Sequence, residues 1–356
     1  MMNLQVLRGV AALMVFFHHF TPYLAKFYPS AKLLGFGASG VDIFFVLSGF
    51  IMVSTTQGGN SSGFQFIWNR FSRVAPLYWL VTMIMVALYV IGFKPVGLVN
   101  LNSSYIFKSI LFVPFVRNDK LEPIVAPGWT LNYEMFFYAL FAAGLFLISR
   151  KRRYWALIST ICLISLLGVM GAFSNFYLHY YANPIILDFA FGMLIGIYFS
   201  RARLGFNVNS SLIASVGLIV FAVAIIVTVE IVALSGGPRL EYIRGARPMT
   251  WGVAGAALVF AACLLDRFGW SVRGGLLTEI GNASFSLYLI HSLVLHAASK
   301  VAERIGLGGV SYVGLVFIVG LSLTLFISFM LFRYFEVPSN KLLRRMFPVR
   351  ERSVSV

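Results

Sequence analysis

Runs of roughly 20 apolar residues recur along almost the whole chain, separated by short polar or charged connections. An α-helix rises about 1.5 Å per residue, so a run of about 20 crosses a hydrocarbon core about 30 Å thick. Ten such runs stand out, near residues 4–24, 39–57, 74–93, 128–149, 155–174, 182–200, 210–234, 249–266, 283–301 and 311–336. The stretch 104–117 is apolar but short, and reads as a re-entrant or interfacial segment. No internal repeat, low-complexity tract or separate soluble domain interrupts the series. The pattern predicts an all-α, polytopic integral membrane protein of about ten transmembrane helices, with one domain over residues 1–345 and a short charged tail over 346–356.

Composition agrees. The 356 residues are 59% hydrophobic and 11% charged, and the mean hydropathy is +0.86; a soluble domain carries about 25% charged residues. The net charge of +16 need not mean a nucleic-acid partner, and none is expected, because membrane proteins collect Lys and Arg in cytoplasmic loops. It also suits an anionic ligand on that side. Cys162 and Cys263 lie within apolar runs and read as packing residues. The first run is broken by His18 and His19 and is followed by no small-residue cleavage site, so it reads as a retained span rather than a signal peptide.

Charge between the runs orients them. Arg70 and Arg73, Arg150 to Arg153, Arg201 and Arg203, Arg267 and Arg273, and the tail residues Lys341, Arg344, Arg345, Arg350 and Arg352 fall on the side of the N-terminus. The opposite connections are sparser, although Arg239, Arg244 and Arg247 weaken the contrast. The bias predicts both termini in the cytoplasm. Arg8, Arg70 and Arg73 then lie toward the cytoplasm, with the two arginines of the third span at its mouth and Pro76 in its first turn. His19, Asp42, Trp129 and Glu134 lie in the outer half. Anion recognition is therefore expected inside, and acid–base chemistry farther out.

Several side chains are costly in a membrane unless they find partners. Arg8 and His19 are eleven residues apart, close to three helical turns and roughly 16 Å of rise, so they share one face of the first helix. The alternative is that Arg8 snorkels to lipid phosphates. Asp42, within Gly40 to Phe50, either caps its helix or orients and charges His19; Gly40 and Gly49 permit close helix packing. Arg70 and Arg73 are ordinary interfacial anchors or a phosphate site. Trp129 reads as an aromatic-belt residue. Glu134, about a turn and a half inside an apolar helix, points to function. Ser284, Tyr288 and His291 share a face, as a hydrogen-bonded stripe or as part of a site. His179, Lys300 and Glu303 read as loop or interface residues. The histidines show no metal-ligand spacing, and no P-loop or nucleophile elbow is present. From these residues alone an enzyme and a transporter or flippase for a lipid-linked sugar both remain open, although the paired halves or broken helices of transporters are not evident.

Taken in order, these segments resemble the membrane acyltransferase-3 family, which includes bacterial exopolysaccharide and O-antigen O-acetylases. The resemblance rests on Arg8 followed by His19, Gly40 to Phe50, Arg70 with Arg73, Trp129 to Glu134, Ser284 to His291, and Tyr334 to Pro338. It covers roughly Arg8 to Pro338. It implies a multi-pass enzyme of the bacterial inner membrane that moves an acetyl group from acetyl-CoA, its co-substrate, to a sugar hydroxyl of a glycan or lipid-linked oligosaccharide, without a metal. By position, His19 would be the essential histidine and Arg8 its paired arginine. Asp42 and Glu134 would join His19 in catalysis, Arg70 and Arg73 would join Arg8 in holding the donor, and Trp129, Tyr133 and His291 would line the acceptor site. Direct attack by the hydroxyl and an acetyl-imidazole intermediate are the two schemes this arrangement allows.

Overall fold

The computed structural model describes residues 1–33, 35–58, 62–93, 95, 101–116, 123–201, 208–237, 243, 245–272 and 274–346. Fourteen α-helices follow in order: α1 Met2–Ala25, α2 Ser39–Thr56, α3 Gly63–Val90, α4 Ser103–Ile110, α5 Trp129–Leu147, α6 Arg153–Val169, α7 Phe176–Tyr181, α8 Leu187–Arg201, α9 Val208–Leu234, α10 Val253–Arg267, α11 Leu276–Asn282, α12 Ser284–Arg304, α13 Gly309–Leu331 and α14 Val337–Met346. Among the described residues, nine helical stretches are long and apolar enough to cross a membrane, and α6 is a shorter apolar tenth. The all-helical, membrane-spanning architecture is the one the hydrophobic pattern predicts. The short stretch near 104–117 forms only α4, of eight residues. Arg203, Arg239, Arg244, Arg273, Arg350, Arg352 and the tail beyond Met346 lie outside the described residues.

The bundle is ordered by apolarity. The apolar windows of α9 and α13 are only 17% and 22% buried, whereas that of the stretch containing α2 is 72% buried. In a membrane the lipid-facing helices can be apolar all round, and the polar groups gather at the helix–helix contacts. Helix α2 packs against α1 and α8 with backbones in close approach. A Cβ on Gly40 would stand 2.5 Å from the Ala11 carbonyl oxygen, and one on Gly49 would stand 2.1 Å from that of Phe189. Both glycines thus do what their spacing predicts.

Two departures from the hydrophobic pattern shape the interior. Helix α3 begins at Gly63, capped by the Ser62 side chain, which accepts from the Gln65 N–H. Its start is eleven residues earlier than residue 74 because Gln65, Asn69, Arg70, Ser72 and Arg73 make the first turns polar while leaving them helical. Arg70, Arg73 and Pro76 therefore lie inside the helix rather than in its entrance and first turn. The second departure is α11, which lies against the start of α1; a Cβ on Gly281 would stand 1.8 Å from the Gln5 carbonyl oxygen.

Candidate active site

A cavity opens between α1, α2, α3, α5 and α12, and Arg8, Arg70, Arg73 and Glu134 all face it. Arg8 donates to the Ser284 hydroxyl (2.9 Å) and to the Gln5 side-chain oxygen (3.1 Å). Arg70 donates to the Thr55 hydroxyl (3.1 Å) and lies 5.6 Å from the Phe66 ring centroid. These arginine partners are neutral. The carboxylate of Glu134 accepts from the hydroxyls of Tyr138 and Ser48. A second carboxylate, Glu336, is buried at the π-helical turn Phe332–Glu336 and accepts from Ser286 (2.6 Å). Arg8 and Arg73 both lie within its electrostatic reach. The remaining walls are apolar, from Phe44, Phe45, Leu47 and Ile51 of α2 and Phe285 of α12.

Glu134 was expected beside His19, in the outer half. It meets the arginines instead, and the early start of α3 is the reason: Arg70 and Arg73 stand far enough along the helix to reach the level of Glu134 on α5.

Beyond the cavity lie the imidazoles. Tyr288 lines the cavity and is fixed by hydrogen bonds to Thr130 (2.9 Å) and the Pro127 carbonyl (3.0 Å). One helical turn farther on, His291 has its ring centroid 6.0 Å from that of Tyr288 and 4.7 Å from that of His19. The shared face of α12 thus runs from Ser284 at Arg8, through Tyr288, to His291 at His19. The Arg8–His19 face of α1 runs alongside in the same direction. His19 Nδ1 is 3.0 Å from the Val15 carbonyl oxygen, and His291 Nδ1 is 3.2 Å from that of Leu287. A carbonyl oxygen only accepts, so both Nδ1 atoms carry the proton, and Nε2 is the basic nitrogen of each neutral ring. His291 Nε2 is buried with no hydrogen-bond partner among the described residues.

Three predicted site residues are engaged elsewhere. Both carboxylate oxygens of Asp42 are held by Arg247, at 3.0 Å from Nε and 2.9 Å from a terminal nitrogen. Asp42 therefore serves as the partner of Arg247 rather than as the orienting group of His19. Arg247 was a loop charge in the sequence; it stands just ahead of α10, with its guanidinium 5.2 Å from the Trp251 ring centroid. Asp188, fully buried at the start of α8, lies beside Asp42. A carboxylate in the first turn of an apolar helix was the signal for Asp188; nothing local marks Arg247, whose partner is 205 residues away. The Tyr133 hydroxyl donates to the Tyr180 carbonyl (2.9 Å), and its ring stacks on Tyr180 and meets Trp129 edge-on. Tyr133 and Trp129 thus sit in an aromatic cluster where α5 and α7 meet.

The fold and site define a helical membrane protein with a cation-lined internal cavity leading toward a pair of imidazoles. The chain matches the family described as an acyltransferase domain over residues 3–333, and it belongs to that family, the membrane acyltransferase-3 enzymes. It is 32% identical over 274 residues to the exopolysaccharide production protein ExoZ of Rhizobium meliloti (strain 1021), covering 76% of this chain and 81% of that one. It is 24% identical over 337 residues to nodulation protein 10 of Rhizobium leguminosarum bv. viciae, covering 83% of each. It is 31% identical over 160 residues to protein 2 in the picA locus of Rhizobium radiobacter, covering 39% of this chain and 79% of that one. No solved structure matches.

Proposed function

We propose that this acyltransferase moves an acetyl group from cytoplasmic acetyl-CoA to a sugar hydroxyl of an exopolysaccharide or related glycan, in a bacterial inner membrane with both termini cytoplasmic. The observation that carries the reading is the cavity with three arginines facing it and one carboxylate, continued along α1 and α12 to His19. Arginine guanidinium groups match phosphate geometry and stay charged when buried, so an excess of them in a cavity calls for an anionic ligand. Coenzyme A carries its phosphates at one end of a long thin arm and the thioester at the other. With the phosphates at the arginines, the arm runs past Tyr288 toward the histidines.

In the reaction, His19 Nε2 takes the proton of the acceptor hydroxyl as its oxygen attacks the thioester carbonyl. The C–S bond then breaks, and the proton passes from the imidazolium to the departing thiolate. The Nδ1–H···O bond to Val15 fixes the tautomer this step needs, a role usually filled by a carboxylate. Asp42 and Glu134 act at one remove in this scheme. Glu134 sets the charge and shape of the donor cavity, and Asp42 ties α2 to the start of α10.

The test is mass spectrometry of surface polysaccharide from cells carrying matched membrane levels of wild-type, His18→Ala or His19→Ala protein. Loss of a general base costs about 10²–10⁴-fold in rate, so acetylation should vanish with His19→Ala and persist with His18→Ala. Wild-type acetylation levels with His19→Ala would remove His19 as the base. Trapping of an acetyl group on His19, with ping-pong kinetics, would replace direct attack by the two-step scheme.

A further inference from the structure

A fourth guanidinium stands on a helix packed against α3, which carries Arg70 and Arg73. Arg344 is exposed on the last turn of α14, a helix pinned against the first turns of α3. The Trp68 indole N–H donates to the Leu343 carbonyl (3.0 Å), and the Ser72 hydroxyl donates to the Asn340 side-chain oxygen (3.4 Å). Asn340 and Arg344 are four residues apart and share a face; Ser72 is the neighbour of Arg73. That face is turned toward the turns of α3 that carry Arg70 and Arg73. Lys341 and Arg345 are each one residue on from this face, about 100° around the helix.

Arg344 thus adds a fourth cation, on the adjoining helix, to Arg8, Arg70 and Arg73, which face Glu134 with Glu336 nearby. The four also stand in an order. Arg8 is bonded to Ser284 on the way to Tyr288, Arg70 and Arg73 line the cavity, and Arg344 is exposed on the helix packed against the first turns of α3. A coenzyme A thioester has an order of its own: thioester, pantetheine arm, diphosphate, then the ribose with its 3′-phosphate. With the thioester toward the histidines, the outermost phosphate falls at the outermost arginine.

We propose that Arg344 is the residue that reads the 3′-phosphate of the donor, and that α14 is the wall of the donor site that selects coenzyme A over carriers lacking that phosphate. The proposal rests on the acyl-CoA reading above. Its test measures the affinity of the full-length protein in detergent for coenzyme A and for 3′-dephospho-coenzyme A, in wild type, Arg344→Gln and Arg345→Gln. One charge-assisted hydrogen bond at a partly exposed site corresponds to about tenfold in affinity. Wild type should therefore prefer coenzyme A about tenfold. Arg344→Gln should lose that preference by weakening coenzyme A alone, with dephospho-coenzyme A unchanged within about twofold. Arg345→Gln should keep the preference. Arg344→Gln protein that still discriminates, or wild type that binds both equally, overturns the inference and leaves the acyl-CoA reading standing. Wild type that binds neither compound overturns both. A misfolded variant would lose both ligands together, which separates that outcome from loss of discrimination.

Discussion

Two charge clusters lie within the same helix bundle, and their imbalances have opposite sign. Around Asp42, two carboxylates share one arginine, since Asp188 lies beside the Asp42–Arg247 pair. Around the cavity, Arg8, Arg70 and Arg73 face Glu134, with Glu336 nearby. An excess of acid can be cured from within, because a buried carboxyl group can take a proton and become neutral. An excess of arginine cannot, because the guanidinium stays protonated at any pH a protein survives. The acid-rich cluster can therefore balance its charge by taking a proton, whereas the arginine-rich one can be balanced only by an added anion. On the acyl-CoA reading proposed above, the sign of the imbalance, more than the presence of buried charge, marks the ligand site.

The largest effect expected from this contrast is on stability. Arg247→Ala would leave Asp42 and Asp188 side by side with no cation. Breaking a buried pair by removing one partner costs about 3–5 kcal/mol. The variant should melt well below wild type in detergent or fail to accumulate, and added coenzyme A should not restore it to wild type. An Arg247→Ala protein as stable as wild type would mean the pair is dispensable and the contrast false.

The arginine cavity should answer in the opposite way. Arg73→Ala or Arg70→Ala removes a like charge from a crowded site, so ligand-free stability should hold or rise slightly. Donor affinity should fall about 10–100-fold, since a charged hydrogen bond contributes about 1.5–3 kcal/mol. The thermal shift produced by coenzyme A should shrink in step, because ligand stabilisation follows affinity. Lower ligand-free stability together with an unchanged shift would make these arginines structural.

Hydropathy made nine spans and the shorter apolar α6 legible, and helical periodicity made legible the faces that join Arg8 to His19 and Ser284 to His291. The sequence failed where a charge lies within a helix. Arg70 and Arg73 read as the end of a span because a hydropathy window takes a charge for water. The bundle instead supplies a cavity, so α3 runs on through them, and Glu134 meets the arginines rather than His19. Arg247 failed for another reason: it sits in a charged connection, and only the fold brings it to Asp42. The tautomer of His19 was legible in need but not in means. The sequence offered two carboxylates, and the structure supplies the carbonyl of Val15 one turn back on the same helix.

The smallest expected effect tests the claim that acid excess cures itself. If Asp188 is held neutral, Asp188→Asn replaces it with a neutral group of nearly the same shape. Its melting temperature should then stay near that of wild type, as for a change costing under about 0.5 kcal/mol. Asp42→Asn differs by one atom in the same way, yet it strips the charge from a side chain that accepts from Arg247 on both oxygens. It removes the charge that faces the Arg247 guanidinium and should approach the cost of Arg247→Ala. The space around Asp188 makes the comparison strict: a Cβ on Gly252 would stand 2.0 Å from Asp188 Oδ1, so the site takes this outline and little more. Equal destabilisation by the two Asn variants would show that Arg247 serves both carboxylates. The cluster would then hold its acid excess as charge, and sign alone would no longer separate it from the arginine cavity.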